Sequence, residues 1–170
     1  GGMGVARAIA DRVDAVVLTA YRNTLVKAPG RHALVAIGGC GRREVGPHSD
    51  IDMLFLFARD RDKSPEFISG VLNPLWDLRF DVGHSSRTVA ETIRFAREDV
   101  ESCTAMMDAR FLAGDGDLFT EFLQRFFKRL PRSAIGKLQN WRQLRLESRD
   151  SVQLLEPNIK ESPGGLRDIQ

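Results

Sequence analysis

Asp50 and Asp52 stand two residues apart at the head of an apolar run, Met53 to Phe57. Along a strand, residues i and i+2 share a face. The spacing therefore points both carboxylates the same way at the start of a strand that is otherwise buried. Two carboxylates held that close raise one another's pKa unless something cationic sits between them. A divalent cation is the natural guest, and oxygen-only ligands favour Mg2+, with Mn2+ as an alternative. Upstream, a second apolar run, Ala33 to Ile37, feeds Gly38 and Gly39. These glycines let the backbone turn tightly and approach a ligand closely. From Cys40 the chain can make a short helical turn whose N–H groups face that ligand, an anion site. Arg42 sits on the turn and can grip a phosphate. A phosphate cradle beside a metal-binding Asp-x-Asp is what nucleotidyl transfer needs. The bland alternative is two exposed aspartates in a loop before a core strand.

Gly38-Gly39 followed by Ser49-Asp50-Ile51-Asp52 resembles the signature of the DNA polymerase beta-type nucleotidyltransferase superfamily. The fuller run GGCGRREVGPHSDIDMLFLF, from Gly38 to Phe57, resembles the protein-PII uridylyltransferases of bacterial nitrogen regulation. Two further stretches carry the narrower resemblance: VGHSSRT, from Val82 to Thr88, and EPNIKESPGGLRDIQ, from Glu156 to Gln170. The last is the most specific, because general nucleotidyltransferases do not usually carry it.

The resemblance implies an α+β, polymerase beta-like nucleotidyltransferase fold: a small mixed sheet with helices on one side, then a helical C-terminal extension. It implies transfer of UMP from UTP to a tyrosine hydroxyl of a PII signal-transduction protein, with release of pyrophosphate. Asp50 and Asp52 would hold two Mg2+ ions. Asp81 would be the third carboxylate, completing the second metal site and helping to ionise the attacking hydroxyl. Gly38, Gly39, Arg42 and Ser49 would cradle the phosphates. The tyrosine acceptor rests on the resemblance alone. The residues themselves leave open a nucleotidyltransferase acting on RNA ends or a small molecule, and a non-catalytic module that binds nucleotide as a signal. They also leave open a fragment that folds but is inactive alone. An RNA enzyme would be expected to show a larger basic surface, and a module that only binds has less need of two crowded carboxylates.

Composition narrows the field. At 170 residues the chain suits one domain with a helical appendage, divided as 1–114 and 115–170. A hydrophobic fraction of 42% is enough for a real core, and 28% charged residues indicate a soluble surface. A net charge of +2 gives no general polyanion signal, so no nucleic-acid partner is expected. No apolar run reaches the roughly 18 residues of a membrane span. Cys40 and Cys103 are far apart and form no C-x-x-C pair, so reduced thiols in the cytoplasm are the simplest reading. Helix-terminal amides would lower the pKa of Cys40, which is nevertheless read as a packing residue first. His32, His48 and His84 have no metal-ligand spacing, and there is no adjacent His-Asp pair. The resembled family reaches a hydrolase domain through such a pair and carries sensing domains beyond it. This chain is therefore expected to transfer nucleotides without removing them, and not to sense glutamine by itself.

The elements that must position these residues follow from periodicity. Val5, Ile9, Val13, Val16, Val17 and Ala20 predict an amphipathic helix ending before Pro29-Gly30. Ala33–Ile37 and Met53–Phe57 read as buried strands. A helix should begin at Pro65 with Phe67, Ile68, Val71, Leu72, Leu75 and Trp76 inward and Pro74 as a kink. Residues 79–84 predict a strand on which Asp81 faces opposite to Phe80 and Val82. Thr88-Val89-Ala90-Glu91 reads as a capping box. Asp99 caps a helix running towards Gly114, and Asp115 caps another with Leu118, Phe119, Phe122, Leu123, Phe126, Phe127 and Leu130 as its apolar stripe. A basic helix is expected over 133–150, and a Pro- and Gly-rich loop from Glu156.

Overall fold

The computed structural model of the protein describes residues 2–28, 30–46 and 49–129. Helix α1 (Gly2–Thr24) leads through a 3-10 turn, Leu25–Lys27, to strand β1 (His32–Ala36). A one-turn helix α2 (Gly38–Gly41) separates β1 from β2 (Ile51–Phe57). After a second 3-10 turn come α3 (Pro65–Asp77), β3 (Val82–Thr88), α4 (Val89–Glu98), α5 (Val100–Met107), β4 (Arg110–Gly114) and α6 (Gly116–Arg129).

The strands form one mixed sheet in the order β3-β2-β1-β4. β1 runs antiparallel to β2 and to β4, while β2 and β3 are parallel. All five residues of β1 are buried, and all of β2 except Asp52. Strands apolar on both faces need both faces covered. One face packs Leu34, Ala36, Met53, Phe55 and Phe57 against α1 and α3. The other packs Ala33, Val35, Leu54 and Leu56 against α4, α5 and α6. The expectation of helices on one side is thus corrected to helices on both; the unbroken apolar runs of β1 and β2 require it.

Within α6, Leu118, Phe122 and Phe126 are buried in the same core as the sheet. Local signals place most helix starts. Ser64 Oγ accepts from Phe67 N–H, with Pro65 opening α3. Thr88 and Glu91 make both bonds of the capping box, and Asp99 and Asp115 accept from Ser102 N–H and Leu118 N–H. Two expectations change. The chain between α5 and Gly114 is not helix but the edge strand β4. The third strand begins at Val82 rather than at 79, because the end of α3 continues into Arg79 (φ 65°) and Phe80, whose N–H groups bond back to Trp76 and Leu75. The inward face of α3 is narrower than expected, since Trp76 is 44% exposed. No helix among the described residues is long and apolar enough to cross a membrane. The helix expected over 133–150 and the tail from Glu156 lie outside the described residues.

Candidate active site

Gly38 begins α2 with φ +56°, a conformation that favours glycine. A β-carbon on it would stand 3.6 Å from Asp52 Oδ2 and 4.0 Å from Ala105 Cβ. The second carboxylate therefore lies beside the glycine turn, at the distance an added side chain there would touch it. The N–H of Ile37 donates to Asp52 O at 3.1 Å, tying the start of the turn to the carboxylate strand. The amides of Gly38, Gly39 and Cys40 precede the first i→i−4 bond of α2, Gly41 N–H to Ile37 O, so the helical ladder does not use them. Gly39 differs from Gly38. It has no positive φ, and a β-carbon there would find only ordinary contacts, 3.5 Å to Glu44 O. The tight turn rests on Gly38. A second close approach is at Gly41, where a β-carbon would overlap the backbone carbonyl of Asp108; the sequence reading did not single it out.

Asp50 precedes β2, Asp52 is its second residue, and both are half-buried. Strand alternation, extended one residue ahead of β2, would give them one face. Asp52 is in register with Gly83 on β3, and its Oδ1 lies 2.5 Å from where a Gly83 β-carbon would be. The missing side chain leaves the notch into which the carboxylate leans. Asp81 is exposed, one residue ahead of β3, and its carbonyl accepts from Ile51 N–H at 2.8 Å. That bond sets Asp81 beside the head of β2, next to Asp50.

Among the described residues, no group of three or more His, Cys, Asp and Glu side chains is arranged to hold a metal ion. Two carboxylates at one strand head still fit Mg2+, which is commonly bound by one or two carboxylates plus substrate phosphates rather than by an all-protein cage. Asp50 and Asp52 are the residues that would hold it.

Arg42 and Ser49 are already engaged within the protein. Arg42 Nε donates to Glu44 Oε2 at 3.0 Å and its Nη1 to Asp108. Ser49 Oγ accepts from Gly46 N–H at 2.8 Å, and Ser49 N–H donates to Gly46 O at 3.2 Å. Among the described residues the Ser49 hydroxyl donates to no acceptor, which would leave its proton for a phosphate.

Arg110 secures the turn from behind. It donates to Cys40 O at 2.9 Å and to Gly41 O at 3.1 Å, and a bidentate pair with Asp14 at 2.9 and 3.0 Å aims it. Asp14, Asp108 and Arg110 were not read as site residues, because they come from α1, the end of α5 and the head of β4, far from the glycines in sequence. Cys40 is buried, and its Sγ donates to Asp50 O at 3.7 Å. Burial pushes its thiol up to about 11. The expected lowering by helix amides is thus overturned by desolvation, and Cys40 is packing.

A small α+β nucleotidyltransferase fold accounts for these features: a four-stranded mixed sheet, a glycine turn after one central strand and an Asp-x-Asp opening the next. Residues 132–170 match the family model described as GlnD PII-uridylyltransferase. The chain is 42% identical over 145 residues to a bifunctional uridylyltransferase/uridylyl-removing enzyme of Ralstonia nicotianae, covering 84% of this chain and 17% of the relative. A relative of the same name from Cereibacter sphaeroides is 42% identical over 82% of this chain and 16% of its own length. One from Novosphingobium aromaticivorans is 37% identical over 92% of this chain and 18% of its own length. Over the residues matched, the chain is similar to the PII-uridylyltransferases. It spans about one sixth of the length of these curated relatives (17%).

Proposed function

We propose that this chain carries the nucleotidyl-transfer part of such an enzyme and moves UMP from UTP to a tyrosine hydroxyl of a PII protein. The observation that carries the reading is the closeness of the Asp52 carboxylate to the Gly38 turn, where an added β-carbon would stand 3.6 Å from Oδ2. It supports a site in which a phosphate would approach the turn and Asp52 would help hold a metal ion. In the reaction the phenolic oxygen bonds to the α-phosphorus, the bond from that phosphorus to the bridging β-phosphate oxygen breaks, and pyrophosphate leaves. Asp81, exposed at the head of β3, takes the phenolic proton on its way to solvent. The α2 amides and the Ser49 hydroxyl orient the triphosphate, and Arg42 adds charge beside it. Mg2+ held by Asp50 and Asp52, when bound, supplies charge neutralisation at the triphosphate. The relatives are named as bifunctional uridylyltransferase/uridylyl-removing enzymes; for this chain the transfer half alone is proposed.

Incubation of the chain with each labelled nucleoside triphosphate, Mg2+ and purified PII protein tests the reading. Label should pass to PII from UTP and not from ATP, GTP or CTP. Absence of transfer from UTP, or equal transfer from all four, would refute it.

A further inference from the structure

The sheet ends in two unlike edges. On one side, β4 has five residues and breaks register against β1 between Leu34 and Val35. Such an irregularity blunts an edge against further pairing. On the other side, β3 keeps perfect parallel register with β2 through seven pairs, Ile51↔Val82 to Phe57↔Thr88. It contains no proline, lysine or bulge. Its one charged side chain, Arg87, is laid over the Phe95 ring with 3.9 Å to the centroid. Among the described residues β3 has no strand neighbour but β2.

The backbone polarity of this edge follows from one bond. Ile51 N–H donates to Asp81 O, so in the parallel ladder the odd residues of this segment, Asp81, Gly83, Ser85 and Arg87, turn their main-chain groups towards β2. The N–H and C=O groups of Val82, His84 and Ser86 then face outward. Side chains divide as well. Gly83 shares the face of Asp52, and His84 lies on the other face against Trp76, ring centroids 6.1 Å apart. Trp76 and Leu78 are 44% and 59% exposed, leaving an apolar patch on that side.

The geometry points to β3 as a docking edge for an extended, tyrosine-bearing segment of the acceptor protein, which pairs with Val82, His84 and Ser86 as an added strand. This rests on the reading of the site as one that transfers to a tyrosine. Strands lie about 4.8 Å apart, so a residue beside Gly83 has its Cα about 9.6 Å from that of Asp52. Its side chain points to the Gly83 face and crosses a position with no side chain of its own. A tyrosine there extends its hydroxyl over the glycine notch towards the carboxylate that leans into it. Its sequence neighbours point to the opposite face, where Trp76 favours apolar ones. Backbone pairing supplies the affinity, and the notch selects which residue is presented.

The test uses the full chain with purified PII protein as the probe. Ser86→Pro removes one outward N–H and sets a ring on the edge. It leaves the β2 ladder intact, because proline is tolerated where the N–H faces away from the sheet. The expected result is PII binding weakened about tenfold, with UTP affinity and thermal stability unchanged and Ser86→Ala binding PII like the parent. Amide hydrogen exchange of the unsubstituted chain gives a second measurement: PII should slow exchange at Val82, His84 and Ser86. A folded Ser86→Pro chain that binds PII normally would overturn the inference. So would unchanged exchange at those amides, protection already complete without PII, or no binding of PII at all. Protection by PII without UMP transfer would support the docking edge while removing the nucleotidyl-transfer reading.

Discussion

Asp52 and Gly83 share one small volume: the Oδ1 of the aspartate stands 2.5 Å from the place a β-carbon on the glycine would take. The pair sits in register across the parallel β2–β3 boundary. The orientation of the carboxylate thus depends on a residue that offers no side chain. Gly83→Ala should force the aspartate aside while costing the fold little, since the clash falls on the free end of a side chain. Transfer should fall about a hundredfold, the scale of a misplaced catalytic group. Asp52→Asn should remove on the order of a thousandfold through loss of metal charge. Initial rates of labelled UMP transfer, alongside thermal unfolding of both variants, check this. A Gly83→Ala chain with parental activity would show that the carboxylate position is not set by the notch.

The glycines of the turn should separate by stability. At Gly41 an added β-carbon meets the Asp108 carbonyl, which is backbone and cannot swing away. Gly41→Ala should therefore destabilise the chain by about 2 kcal/mol. Gly39→Ala, with room for its methyl, should change stability by no more than about 1 kcal/mol in either direction. Urea unfolding of the two variants gives the comparison, and equal losses would contradict it.

The capping box at α4 carries a pH signature. Thr88 N–H first, and the Lys63 ammonium second, hold the Glu91 carboxyl well below its ordinary 4.5, at about 2. A depressed folded pKa contributes stability that is fully present above the ordinary value and is lost as pH falls through the folded one. Glu91→Gln should therefore lower stability at pH 7, by on the order of 1 kcal/mol or less because the side chain is 34% exposed and its interactions are partly screened. Parent and variant should converge between pH 4.5 and about 2. Unfolding midpoints across that window measure it; a gap that widens on acidification would reverse the sign.

Cys40 should behave as an inert thiol. Its burial and a pKa of about 11 leave almost no thiolate at pH 8. Thiol reagents should label it slowly in the folded chain and at the ordinary rate in urea. Fast labelling of the folded protein at Cys40 would show that the turn opens.

The sequence was informative where one local rule dominated. The apolar run after Asp-x-Asp is a statement about a buried strand, and the Thr88–Glu91, Asp99 and Asp115 caps are statements about single helix turns; strand and caps lie where the sequence puts them. Gly38 and Asp52 were placed in one site by wording, and in the structure they lie close together. What escaped depended on partners distant in sequence. β4 is five residues whose pairing is set by β1, with no periodicity of its own. Arg110 and Asp14 meet across 96 residues, and neither carries a local mark of that role. The start of β3 was misplaced because alternation in Phe80-Asp81-Val82 is present in the letters, while the hydrogen bonds of Arg79 and Phe80 belong to the end of α3. Arg42 read as a phosphate grip, and the sequence alone could not show that Glu44 and Asp108 already take its guanidinium.

The Arg110 clasp bears on the order in which the protein matures. The glycine turn lies within the β1–α2–β2 hairpin, residues 32–57, so its contacts close short loops and can form early. The arginine that fixes its two carbonyls arrives only with β4, and the aspartate that aims the arginine comes from the first helix. The hairpin can form first, but its final clasp waits for the far end of the sheet. A chain that has paired β1 with β2 but has not yet recruited β4 holds the carboxylates without a fixed turn. Nucleotide affinity should therefore appear late in refolding, after most of the secondary structure.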